Sequence, residues 1–256
     1  MMRRLGLLWV VLAATGGLVA TGSLDAAPAA APEIGTARVA FNDRVIESAA
    51  YGAGVDLVAS YPIVDDRVVA DEIVDPDHER LWELVVETIP DRWRSRIRQF
   101  SVIDEGPADT VAMVHQSGHD PGRWLLSIDR SDGSNEALVR DTLVHELAHL
   151  ITLDPTEFTF HHRRSGDCQG VLIEIGCAHA GGVLARWAES FWASPGRAAD
   201  YDPTAFVAPY AATGPHEDLA ETYLYWRRGE VPAGAGLVLE AKLAFIEHEL
   251  GSPIPR

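Results

Sequence analysis

Cysteine is scarce in this chain: Cys168 and Cys177 are the only two among 256 residues. Their spacing matches no compact zinc-finger pattern. An even pair this close in sequence fits one disulfide closing a short loop in an oxidising compartment. A competing arrangement is a second metal site built from Cys168, Cys177, His179 and His161 or His162. Basic residues are also few, with Lys and Arg totalling 21 against 38 Asp and Glu, a net charge of −17. No basic stripe exists to neutralise phosphates, which excludes a nucleic-acid binder. The acidic excess reflects solubility and does not imply a cationic substrate. No internal repeat recurs, and beyond the N-terminal stretch no apolar run is long enough to span a membrane. With 47% hydrophobic residues the chain can still bury a full core.

The N-terminus reads as an export signal. Positive charge at Met1 to Arg4 is followed by an apolar core from Leu5 to Val19 and then by small residues up to Ala31. Cleavage near Ala27 or Ala31 gives a mature chain with no membrane span; an uncleaved N-terminal anchor is the alternative. The expected organisation is a signal peptide at residues 1–27, a linker or N-terminal extension at 28–74, and one domain at 75–256. Within the extension, apolar runs at Val55 to Ile63 and Val68 to Val69 are consistent with short strands or an irregular wrap. The place of residues 33–74 between signal and core also suggests a pro-segment that inhibits the cleft.

Chemistry concentrates between Asn135 and Leu153. No Pro or Gly interrupts Ser134 to Thr152, and Leu138, Val139, Thr142 and Leu143 recur at helical spacing, so a helix is expected. It carries His145-Glu146-Leu147-Ala148-His149. Positions i and i+4 share a helix face, so both imidazoles can converge on one ion about 2.0–2.1 Å away, a geometry that suits tetrahedral Zn2+. Uncompensated imidazoles against the apolar stripe of Val144, Leu147, Ala148 and Ile151 would be costly, which favours a metal site over surface decoration. Glu146 points beside the ion and can take a proton from a metal-activated water.

A catalytic zinc with two His ligands needs a third protein ligand and an open position. Pro215 can start a second helix on which Glu217 and Glu221 share a face. Glu217 is the expected third ligand, with His216 and Glu221 in reserve. Glu221 is expected to accept the remaining ring N–H of a ligand His and fix its tautomer. Tyr210 can donate its phenol to the oxyanion that forms when water adds to a peptide carbonyl; otherwise it is a cleft-wall aromatic.

The remaining elements follow from shorter signals. Asp75 and Pro76 open an amphipathic helix through Ile89, which Pro90 interrupts. Phe100 to Asp104, Thr110 to His115 and Trp124 to Asp129 read as an antiparallel meander, with the last strand along a cleft where an extended peptide can add to its edge. His115 and His119 read as surface or turn residues. Phe158 to Gly170 reads as a loop, Gly182 to Ala193 as a packing helix, and Leu237 to Leu250 as a terminal helix with Glu240, Glu247, His248 and Glu249 on a solvated face.

His145-Glu-x-x-His149 together with Tyr210-x6-Glu217-x-x-Ala220-Glu221 resembles the gluzincin branch of zinc metallopeptidases. Within it, the pattern is similar to the catalytic domain of anthrax lethal factor and to related bacterial metallopeptidases. The resemblance covers Leu138 to Leu153 and Phe206 to Trp226, and elsewhere only the order of elements. It implies an α+β, zincin-like fold: a small antiparallel sheet with the active-site helix above a mostly helical lower half. It further implies His145, His149 and Glu217 as zinc ligands, Glu146 as general base, Glu221 behind a ligand His, and Tyr210 at the oxyanion. The function expected is a secreted endopeptidase acting on a peptide or protein substrate. A secreted binding protein with a structural zinc is the alternative. Glu146 argues against it, because a structural site needs no base and is normally closed by four protein ligands.

Overall fold

A computed structural model describes residues 39–41, 44–46, 55–70, 74–105, 110–118, 120–160 and 166–251. The expected signal peptide, most of the linker, and His119, His161 and His162 lie outside these residues. The first elements are β1 (Val39–Phe41) and β2 (Arg44–Ile46), an antiparallel pair, then β3 (Asp56–Val64) and β4 (Arg67–Val68). β3 and β4 are joined by a tight turn in which Asp65 and Asp66 have φ of 50° and 62°. Both sit in the left-handed region, which Asp tolerates better than most side chains.

Helix α1 (Pro76–Thr88) starts as its sequence dictates: the Asp75 side chain accepts from the Asp77 N–H, and Pro76 occupies the first turn. Pro90 stops it and caps the single turn α2 (Asp91–Arg94). Then come β5 (Ile97–Asp104), β6 (Ala112–Gln116) and β7 (Trp124–Asp129), followed by α3 (Glu136–Thr152). The Asn135 side chain caps α3.

The main sheet has the order β4-β3-β5-β7-β6. This corrects the antiparallel meander. β5 and β7 are parallel, in register from Phe100 opposite Leu126 to Ile103 opposite Asp129, while β6 pairs antiparallel with β7 on its other side. The sheet is therefore mixed, and its edge strand beside α3 is β6, not the last strand, β7. Burial explains the order: all six residues of β7 are buried, so the strand gains most with a partner on each side. β3 extends the same sheet through antiparallel pairing with β5, so part of the expected N-terminal extension is sheet. One face of the sheet packs on α1 and α3 through Phe100, Val102, Val114, Leu126, Leu84 and Leu143.

The Phe158 to Gly170 loop is also corrected. β8 (Phe158–Phe160), β9 (Gly170–Ile173) and β10 (Gly176–His179) make a small antiparallel sheet with β10 in the middle. Gly176 permits it: a Cβ there would lie 2.2 Å from the Thr159 carbonyl oxygen across the strand pair. Cys168 and Cys177 form a disulfide with a Cα separation of 5.6 Å. The thiols are therefore not metal ligands, and His179 is engaged with Thr159 Oγ1 and the Thr156 carbonyl, which removes the second metal site. A disulfide suits an oxidising compartment.

The chain ends in α4 (Val183–Phe191), a 3-10 turn at Pro209–Thr213, α5 (Pro215–Arg228) and α6 (Leu237–Leu250). Gly229, at φ 67°, closes α5 in the left-handed conformation that helix ends favour. The described residues thus form a mixed α+β fold with a five-stranded mixed sheet, a small antiparallel sheet and six helices. None of these helices is long and apolar enough to cross a membrane.

Candidate metal centre

Helices α3 and α5 pack against each other and supply the site from facing surfaces. On α3, His145, Glu146 and His149 are buried, and on α5, Glu217 and Glu221 are buried. Five ionisable side chains this deep require partners, since each alone would cost several kcal/mol.

The ligand atoms converge. His145 Nε2 lies 3.0 Å from His149 Nε2 and 3.0 Å from Glu217 Oε2, and His149 Nε2 lies 3.4 Å from Glu217 Oε2. Two donors held about 2.0–2.1 Å from one ion at a tetrahedral angle stand about 3.3–3.4 Å apart, so the triangle is close to that size. The proton count points the same way. His145 Nδ1 is 2.9 Å from Glu221 Oε1, and a carboxylate there calls for an N–H on Nδ1. His145 Nε2 then offers a lone pair to the same point as Glu217 Oε2. Positive charge is needed where these atoms meet: without an ion it is a proton between His145 and Glu217, and His145, His149 and Glu217 could instead hold a metal ion there.

Titration expresses the same crowding. Burial works against a charged His145, but hydrogen bonds to Glu217 and Glu221 outweigh it and lift the ring well above its usual value. Burial drives His149 down to about 4 against the pull of Glu217. Glu217 is pushed up by burial yet held well below the usual carboxylate range by His149, His216 and its bond to His145. Glu146 is raised to about 8, mainly by burial, with Glu217 adding to the effect.

Glu146 is fixed from the sheet. Its Oε2 accepts from the Val114 N–H at 3.0 Å. Along β6 the odd-numbered residues bond to β7, as Val111 O to Asp129 N and Ser117 N to Arg123 O show. The even-numbered residues Ala112, Val114 and Gln116 therefore turn their backbone groups to the outer edge, on the side of Glu146.

Tyr210 stands on the 3-10 turn, half-buried, with its ring centroid 6.0 Å from that of His145. His216 is buried beside the site, with its Nε2 3.3 Å from Glu217 Oε1 and its ring 5.9 Å from His149. It is not one of the converging ligands, and Glu221, the other reserve, faces His145 Nδ1 instead. Gly214 makes room for the His216 ring: a Cβ there would sit 2.9 Å from His216 Cε1.

Behind Glu217 lies a group with no counterpart in the sequence reading. Asp218 is fully buried and accepts from Trp187 Nε1, Trp192 Nε1 and Lys242 Nζ, at 3.1, 2.9 and 2.8 Å. Burial raises Asp218 to about 6 and lowers Lys242. The available signal was composition: Lys242 is the one lysine in the chain. Comparison with protein-family models, with curated proteins and with solved structures found no match for this chain.

Proposed function

We propose that the chain is an exported zinc metallopeptidase that hydrolyses peptide bonds. The observation that carries this reading is the convergence of His145, His149 and Glu217 with the Glu146 carboxyl alongside. Two imidazoles and one carboxylate are the donor set of a catalytic zinc that keeps a position open. Among the described residues three donors converge, where a structural site is normally closed by four.

In this reading His145, His149 and Glu217 hold the ion, and Glu221 fixes the His145 tautomer and orientation. Zinc bound there supplies Lewis acidity and an acidified water. Glu146 takes the proton from the attacking water and passes it to the leaving amine. Its burial-raised affinity for a proton suits the second half of that task. Tyr210 donates its phenol to the oxyanion. The outer edge of β6 offers backbone groups to an extended peptide, which lays the scissile bond past Glu146.

Residues 75–256 carry every residue of the proposed site, and β3 and β4 complete their sheet from the preceding segment. Residues 1–27 direct export, a reading supported by the disulfide. The resemblance to gluzincin metallopeptidases adds support through the same residues.

Elemental analysis of purified protein tests the site, and hydrolysis of a mixed fluorogenic peptide library tests the activity. The expected result is about one zinc per chain, lost in Glu217→Ala, with cleavage by the wild type and none by a zinc-loaded Glu146→Gln. No zinc in any sample after metal has been offered sinks the proposal. Zinc without cleavage of any peptide moves the structural-zinc binding protein to first place.

A further inference from the structure

Asp218 follows Glu217 directly, on the first turn of α5. Its carboxylate is held by three side chains at once. Trp187 and Trp192, on and just after α4, donate their indole N–H groups to one oxygen. Lys242 on α6 reaches both oxygens, at 2.9 and 2.8 Å. The same ammonium donates to the Ala205 carbonyl at 2.8 Å and lies 3.9 Å from the centroid of the Phe206 ring, at the head of the segment that runs to Tyr210. Both charged groups are 0% exposed.

A buried ion pair is a poor means of adding stability, because desolvation of the two charges consumes most of their attraction. Its use lies in geometry. Every other cationic side chain of this sequence is arginine, and the single lysine is the one group placed here. A compact ammonium with three donors can bridge a carboxylate and a carbonyl in a space that a planar guanidinium fork does not fit.

We propose that Asp218 and Lys242 are positioning residues, which hold Glu217 at the metal and lock it to the segment that carries Tyr210. The inference rests on the metal reading above. A shift of about 1 Å in the first turn of α5 would open the triangle that Glu217 closes, a displacement large enough to matter for a site of this kind.

The test uses full-length protein and zinc alone, with Co2+ as a spectroscopic stand-in. Lys242→Met and Asp218→Asn each leave a buried partner uncompensated and are expected to lower thermal stability. The double variant Asp218→Asn/Lys242→Met has no orphaned charge, so it is expected to melt near the wild type. All three variants are expected to bind zinc about 10–100-fold more weakly, with an altered Co2+ ligand-field spectrum. If the double variant folds with wild-type zinc affinity and an unchanged Co2+ spectrum, the pair is structural only and the inference fails alone. If the wild type itself takes up no metal, the metal reading fails and takes this inference with it.

Discussion

His145 and Glu221 are joined across the α3–α5 interface by a 2.9 Å contact between Nδ1 and a carboxylate oxygen. That contact decides which ring nitrogen is left to face Glu217 and His149. Glu221→Gln can still accept at the same place but carries no charge. It should therefore weaken zinc binding about 10–100-fold and still allow near-full loading in excess metal. Competitive titration against a chelator measures this. Equal affinity in wild type and variant would remove Glu221 from the site.

Tyr210→Phe keeps the ring that packs 6.0 Å from His145 and removes only the hydroxyl. The expected result is unchanged zinc content and KM, with kcat reduced about 10²–10³-fold. A rate within twofold of the wild type would leave Tyr210 as a cleft-wall aromatic.

Burial lowers His115 from 6.5 to about 4, and its Nδ1 is sealed from solvent. Between those two values the unfolded chain binds a proton that the folded chain does not. Stability contributed by neutral His115 is therefore complete above about pH 6.5 and is lost as pH falls toward 4. The loss is on the order of 1–3 kcal/mol. Urea midpoints measured across this range should fall less steeply in His115→Gln, and parallel slopes in the two proteins would refute the assignment.

The disulfide ties Cys168, which precedes β9, to Cys177 in β10, and neither cysteine is on the helices that carry His145, His149 and Glu217. Cys168→Ala/Cys177→Ala should cost roughly 2–3 kcal/mol of stability. Zinc affinity should be unaffected, which separates the small sheet from the site. A matching loss of zinc affinity would show that the two are coupled.

A chain beginning at Asp75 lacks β3 and with it the stacking of Tyr61 on Phe100 and the Tyr61 hydroxyl's bond to His78. It also leaves β5 as an open edge of buried residues. Such a chain should aggregate or melt without cooperativity, whereas one beginning at Val55 should fold. A stable, more active chain starting at Asp75 would instead restore the pro-segment idea for β3.

The two site helices were legible because their signals are local. Asn135 and Pro215 mark the starts, unbroken periodicity marks the bodies, and His145, His149, Glu217 and Glu221 fall at helical spacing. The strand order was not local. A Gly-rich turn after Gln116 does announce a hairpin of β6 and β7, yet no turn records that β7 lies between β5 and β6. That choice is made by burial over long sequence separation. His115 closed an expected strand and read as a surface or turn residue, yet it lies within β6 with its Nδ1 sealed from solvent. The pairing of Asp218 with Lys242 was hidden for a similar reason. On the sequence, Lys242 stands among the Glu residues of a helix expected to show a solvated face, and only the packing of α6 on α5 turns it inward.

Because its lone lysine is sealed beneath α6, the folded protein offers amine chemistry nothing but its own amino terminus. Acylating reagents, aldehyde crosslinkers and lysine-specific proteases should pass over the native chain. Each of them reacts at Lys242 only after α6 has lifted from α5. Acylation at that one position, followed by mass spectrometry over time, would record how often the molecule opens at its base.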